Sequence, residues 1–213
     1  MKNLFLLYSF LIFSCFYSQQ VEGEIIYKTK YKTHKTITGI EKVYFTNDIM
    51  LSLYKADEII TTPITENGSV IYPTNTIDSL AHKPRFVLLS SKDNTLFNNN
   101  INNDKETIYK KENAVKTIEW KIFPEYKKIK GYKCQKAQAT ISGSLYTVWF
   151  TKKIPTSFAP TGVLYSGLGG AILEMTTDKF QRTLVADKIS LKKVEKIISD
   201  FKKKQDLSQY KTN

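Results

Sequence analysis

Along much of the chain, polar and apolar residues change places at every second position. Tyr27, Thr29, Tyr31 and Thr33 alternate with Lys28, Lys30 and Lys32. Successive side chains of a strand point to opposite faces, so this period describes a strand with one face covered. Short runs rich in β-branched and aromatic residues follow at 40–46, 49–54, 58–61, 70–72, 85–89, 115–123, 132–141, 145–151, 171–176 and 180–186. Asn67-Gly68, Pro73-Thr74-Asn75, Ser142-Gly143 and Thr161-Gly162 supply turns between them. The pattern predicts a mainly β fold, an antiparallel curved sheet or half-barrel, and not alternating βα units. In 145–151 both alternating sets are apolar, Tyr146, Val148 and Phe150 on one side and Leu145 and Trp149 on the other. That strand is expected to be covered on both faces.

Two segments depart from the period of two. Residues 94–104 contain six asparagines and little apolar surface, which predicts a mobile loop. Near the end, Leu191, Val194, Ile197, Ile198 and Phe201 recur at helical spacing, with lysines opposite them and Ser190 placed as an N-cap. This is a C-terminal amphipathic helix, expected to pack on its own sheet, with a membrane surface as the alternative use. Residues 205–213 read as a frayed tail, and 19–204 as a single β-rich domain.

The N-terminus changes the compartment. Lys2 is followed by an uncharged apolar stretch at 4–16 and then by Ser18-Gln19-Gln20, the layout of a secretory signal peptide over 1–18. Lipid anchoring at Cys15 is the weaker reading, because Phe13 is bulky for a lipoprotein box and no polar tether follows. The expected location is the periplasm or cell envelope. No later apolar segment of the mature chain is long enough to span a bilayer as a helix.

Charge and chemistry then narrow the function classes. The formal net charge is +12, and loss of 1–18 removes only Lys2 and leaves +11. Only Arg85 and Arg182 are arginines. Base and phosphate readout favours the planar guanidinium, so lysine richness alone does not indicate a specific nucleic-acid partner. A polyanion-binding surface stays open as a third reading. Once Cys15 has left with the signal, Cys134 has no internal disulfide partner. In an oxidising compartment it is a buried inert thiol, a reactive one such as the nucleophile of a thiol-dependent enzyme, or one paired with another chain. His34 and His82 lack metal-ligand spacing, and no residue pattern predicts a metal or cofactor. Asp57, Glu58 and Glu174 are carboxylates that no motif singles out. Gly167, Gly169 and Gly170 are followed by Ala171-Ile172-Leu173 and not by Lys-Ser/Thr, so they form no phosphate loop. They predict a tight bend between strands.

The stretch 129–175, with Trp120 ahead of it, resembles the signature region of the GLPGLI family. Gly131, Tyr132, Cys134, Lys136, Ala137, Trp149, Thr151, Ile154, Pro155 and Pro160 fall in that family's order, with Gly23 and Tyr27 in its first strand. The resemblance implies a secreted protein of Gram-negative bacteria whose activity is not established. The naming hexapeptide here reads Gly167-Leu168-Gly169-Gly170-Ala171-Ile172, and glycine in place of proline predicts a looser bend. Ser144 stands where an arginine is common, and Ala159 where a glycine is usual. Trp120, Tyr132 and Trp149 are expected to anchor the core, with a ligand groove as the other use. Cys134, Pro155, Pro160 and the three glycines are read as mainly structural. Together these features predict a non-enzymatic envelope module that binds an unidentified envelope protein or small ligand. The alternative is a thiol-dependent enzyme or redox protein using Cys134.

Overall fold

The computed structural model describes residues 21–32, 35–61, 64–66, 69–71, 84–102, 105–161 and 163–207. The predicted signal 1–18 with Cys15, both histidines, Asn67-Gly68, the turn at 73–75, Gly162 and the end from 208 lie outside them.

The chain forms β1 (Gly23–Lys32), β2 (Lys35–Phe45), β3 (Ile49–Thr61), β4 (Ile64–Glu66), β5 (Ser69–Ile71), β6 (Arg85–Ser90) and β7 (Thr95–Asn102). It continues with β8 (Lys105–Glu112), β9 (Lys121–Ile129), β10 (Tyr132–Ile141), β11 (Ser144–Thr151), β12 (Ala171–Thr177), β13 (Thr183–Leu191) and α1 (Glu195–Lys204). Eleven strands make one antiparallel sheet in the order β8-β7-β6-β3-β2-β1-β13-β12-β11-β10-β9, and β4 and β5 pair separately. The sheet is thus two meanders joined where the first strand meets the last, with Gly23 opposite Leu191 and Lys30 opposite Thr183. Two-residue turns set the register on one side. Lys130-Gly131 has φ of 48° and 84°, and Ser142-Gly143 has 51° and 72°, the double positive φ that matches strand twist.

Chain length requires the sheet to curl. Residues 113–120 run from β8 at one edge to β9 at the other, a reach of about 31 Å even when fully extended. A flat sheet of this many strands would separate its edges by about 48 Å. The crossing segment follows the chord, so the face it covers is the inner one. Its Ala114, Val115, Ile118 and Trp120 pack on a core that includes Tyr27, Phe45, Met50, Phe150, Met175 and Leu184. A second cluster lies on the opposite face, where Tyr44, Leu51, Phe86 and Leu88 meet Val194, Ile198 and Leu207. The helix does pack on its own sheet, and this packing extends past the helix end to Leu207. No helix among the described residues is long and apolar enough to cross a membrane.

Several element boundaries differ from the sequence expectation. Within the asparagine-rich stretch, the described residues 94–102 are not a loop but a turn and β7, which pairs along its length with β8. Its amides replace apolar burial: Asn99 accepts the Phe86 N–H at 2.7 Å and donates to Glu106 Oε1 at 2.7 Å. Asn94, at φ 50°, accepts the Val115 N–H at 2.7 Å. The strands expected at 49–54 and 58–61 are one strand, β3, matched to β2 through a bulge at Thr38/Gly39. The strand expected at 115–123 lies at β9 instead, because 114–120 is spent on the crossing and Pro124 is tolerated on an edge strand. The run at 180–186 splits into a 3-10 turn at Lys179–Gln181 and β13. Ser190 is therefore a strand residue and not the N-cap. The cap position is Val194, and its N–H donates to Glu22 Oε2 at 2.7 Å. Leu191 and Ile197 are 53% and 39% exposed and stand outside the apolar seam.

Candidate functional site

The motif residues divide into two groups. Along β10 and β11, Cys134 is fully buried and its thiol points to Tyr132 O at 3.5 Å. Burial pushes that thiol up to about 11. Trp149 and Tyr132 are half-buried, and Trp149 carries the Lys127 ammonium 4.4 Å from its ring centroid while Lys127 pairs with Glu174 at 2.6 Å. Trp120 instead reaches across the molecule, its Nε1–H donating to Ser166 O at 2.8 Å beside the glycine corner. Pro155 is exposed and Pro160 buried.

At the corner itself, Gly167 and Gly169 hold φ of 68° and 62°, a conformation that strains other residues. Gly170 meets the sheet so closely that a Cβ there would stand 2.6 Å from Thr151 O. Ser144 Oγ donates to Asp178 Oδ1 at 2.6 Å, and the same oxygen accepts Leu145 N–H and Lys179 N–H at 2.9 and 2.6 Å. These bonds hold Asp178 below its ordinary value, the Ser144 hydroxyl contributing most.

A different set of residues builds a cavity of about 550 Å³ on the inner face. Register puts them there. Tyr31 on β1 stands opposite Ile37 on β2, Tyr54 on β3 stands opposite Arg85 on β6, and Ser52 opposite Val87. Arg182 follows the 3-10 turn directly before β13, and Thr161 comes from the loop between β11 and β12.

A buried carboxylate fastens that loop to the sheet. Glu41, 0% exposed, accepts at Oε1 from Thr161 N at 2.6 Å, Thr161 Oγ1 at 2.7 Å and Ser52 Oγ at 2.8 Å. Its Oε2 accepts more distantly, at 3.4 Å, from Arg182 Nη2. The Arg182 guanidinium carbon lies 4.7 Å from the Tyr31 ring centroid, and the Tyr31 and Tyr54 rings meet edge to face at 6.3 Å. Burial pushes the Tyr31 hydroxyl up to about 12 and raises Tyr54 as well, so both remain O–H donors at neutral pH. Among the described residues no group of His, Cys, Asp and Glu is arranged to hold a metal.

None of the motif residues lines this cavity. Glu41 sits in an ordinary alternating strand and nothing local marks it. The one available signal was the rarity of arginine, since both arginines of the sequence are in the cavity wall.

The fold is that of a curled, open antiparallel-sheet domain with a cavity on its inner face. The chain belongs to the family described as N-glycanase peptide, N-terminal domain, whose model matches residues 43–212. Two structures of PNGF-II, in space groups C2 and P21, are similar at 18% identity and TM-score 0.47. They cover 81% and 82% of this chain and 28% and 29% of their own, so this chain spans under a third of PNGF-II. The LolA superfamily protein NE2245 from Nitrosomonas europaea aligns at 9% identity and TM-score 0.35, over 84% of this chain and 90% of that one. No curated protein matches.

Proposed function

We propose that this domain is a non-enzymatic binding module of the cell envelope that holds a small ligand in its inner-face cavity. The observation that carries this reading is the cavity itself. At about 550 Å³ it has the size usual for small-molecule sites, and it mixes apolar walls with a few convergent polar groups. The matched family is described as an N-terminal domain of an N-glycanase, and we read such a domain as holding ligand, not cleaving it. The GLPGLI resemblance implies export, and we assign the mature chain to the periplasm. An intact mass beginning near Gln19 checks that assignment.

The test is to purify the exported protein and weigh it by native mass spectrometry. Wild type is expected to carry a bound small molecule, and Ala56→Trp, which fills the cavity from β3, is expected to lose it. A wild type that carries nothing and is not stabilised by any member of a metabolite library would overturn the reading.

The second reading, a thiol-dependent enzyme, is opposed by the sealed position of Cys134. Its thiol should resist iodoacetamide near pH 7 in the native protein and react only on unfolding. Rapid native alkylation would restore that alternative.

A further inference from the structure

Thirty of the basic residues are lysines and two are arginines. On a solvated surface the two types are interchangeable. Where a planar, two-point acceptor must be held they are not, because only guanidinium presents a rigid fork. Both arginines of this chain, from distant parts of the sequence, stand in the wall of one cavity.

Their surroundings leave them able to bind. Arg182 is only 8% exposed, and its guanidinium carbon lies 4.7 Å from the Tyr31 ring centroid. Glu41 does not saturate it. One oxygen of Glu41 is already committed to three donors from Ser52 and Thr161, and the other reaches a single Arg182 nitrogen at 3.4 Å. Arg182 Nε is buried and meets no acceptor among the described residues. A buried N–H without a partner is costly and calls for an explanation. Arg85 is exposed on β6 opposite Tyr54 and has no carboxylate partner among the described residues. The wall therefore has a cationic end, where two guanidiniums adjoin the Tyr31 and Tyr54 phenols, and an apolar side made by Ile37, Ala56 and Val87.

Resting on the ligand-holding reading above, we propose that the cavity binds a small carboxylate with a compact apolar or aromatic body. The carboxylate takes the guanidinium N–H groups that Arg182 contributes to the cavity wall, and Arg85 closes on it from the mouth. A planar two-oxygen anion fits this fork, and the apolar side accepts the body. The lysine-covered exterior offers neither the fork nor the wall.

Isothermal titration at physiological salt tests the proposal with 2-naphthoate, its neutral isostere 2-naphthamide, and inorganic phosphate. Naphthoate is expected to bind at least about tenfold more tightly than naphthamide, since a charge-assisted two-point contact is roughly twice as strong as a neutral one. Arg182→Lys keeps the charge and removes the fork. It should weaken naphthoate about tenfold or more and leave naphthamide unchanged. If Arg182→Lys does not fold, Arg85→Met at the exposed mouth carries the test, with a weakening of about threefold or more. Equal affinity for naphthoate and naphthamide would overturn the anion assignment and leave the cavity reading standing. Naphthoate binding that ignores both arginine variants would place it on the lysine surface and overturn the proposal. Phosphate binding that is arginine-dependent and tighter than naphthoate would overturn the carboxylate. Failure of both aromatic probes would overturn the proposal, and failure of native mass spectrometry as well would remove the cavity reading with it.

Discussion

Strands β2, β3 and β6 build both faces of the sheet, and neighbouring residues on them meet opposite fates. On the outer face Tyr44, Leu51, Phe86 and Leu88 are sealed by α1 and Leu207, with Phe86 and Phe201 edge to face at 5.0 Å. On the inner face of the same strands stand Glu41, Ser52, Tyr54 and Arg85, and here the sheet borders a cavity. Apart from the Glu22 cap on Val194, the outer face is held by burial, which needs an apolar stripe of suitable length. The inner face is held at this end by a buried carboxylate with directional donors, so its geometry depends on each partner being present. A face closed by burial tolerates loss of a partner gradually, whereas one closed by a polar cluster fails when a single member is removed.

The largest effect expected from that difference is at Glu41. Glu41→Ala leaves Arg182 buried without its counter-charge and strands three donors, and should cost about 3–5 kcal/mol in urea unfolding. A cost under about 1 kcal/mol would mean that the cluster does not fasten the loop to the sheet. Next is Ile198→Ala on the outer face, expected to cost about 2–4 kcal/mol through lost burial and the cavity left behind. It should leave cavity affinity unchanged in the same titration, and altered affinity would show that the two faces are coupled.

The smallest effect is at Asp178, beside the turn that precedes Arg182. Its folded-state pKa is depressed. The stabilisation it lends is therefore present above the unfolded value and is lost as pH falls through the folded one. Amide protection factors at 177–183, referenced to the intrinsic exchange rate at each pH, should fall on acidification below about pH 4 in wild type. In Asp178→Asn these factors should already be low at neutral pH and change little on acidification. A wild type that shows no acid-dependent change there would exclude Asp178 as the tie.

Strand type and turn chemistry were legible in the sequence, because both are local. The alternation of tyrosine and threonine with lysine in β1, the Ser142-Gly143 turn and the glycine corner could each be read from adjacent residues. Two local readings failed for identifiable reasons. The asparagines of 94–104 argued for a loop on composition, yet their amides find backbone and carboxylate partners once β6 and β8 flank them. Ser190 offered a capping hydroxyl, but the helix takes its cap from Glu22, at the other end of the described chain. The arginine cavity was not legible at all. Its members come from β1, β2, β3, β6, β7, a loop and a turn, and scarcity of arginine was visible without its convergence.

The sequence by itself determined that this chain is a set of antiparallel strands ended by an amphipathic helix, because side-chain period and turn preference act within a few residues. Tertiary structure alone decided that the sheet must curl, that one face is sealed by the helix while the other keeps a cavity, and that both arginines line that cavity. Those outcomes depend on which distant strands pair and how far a short crossing segment can reach. No local propensity encodes either quantity.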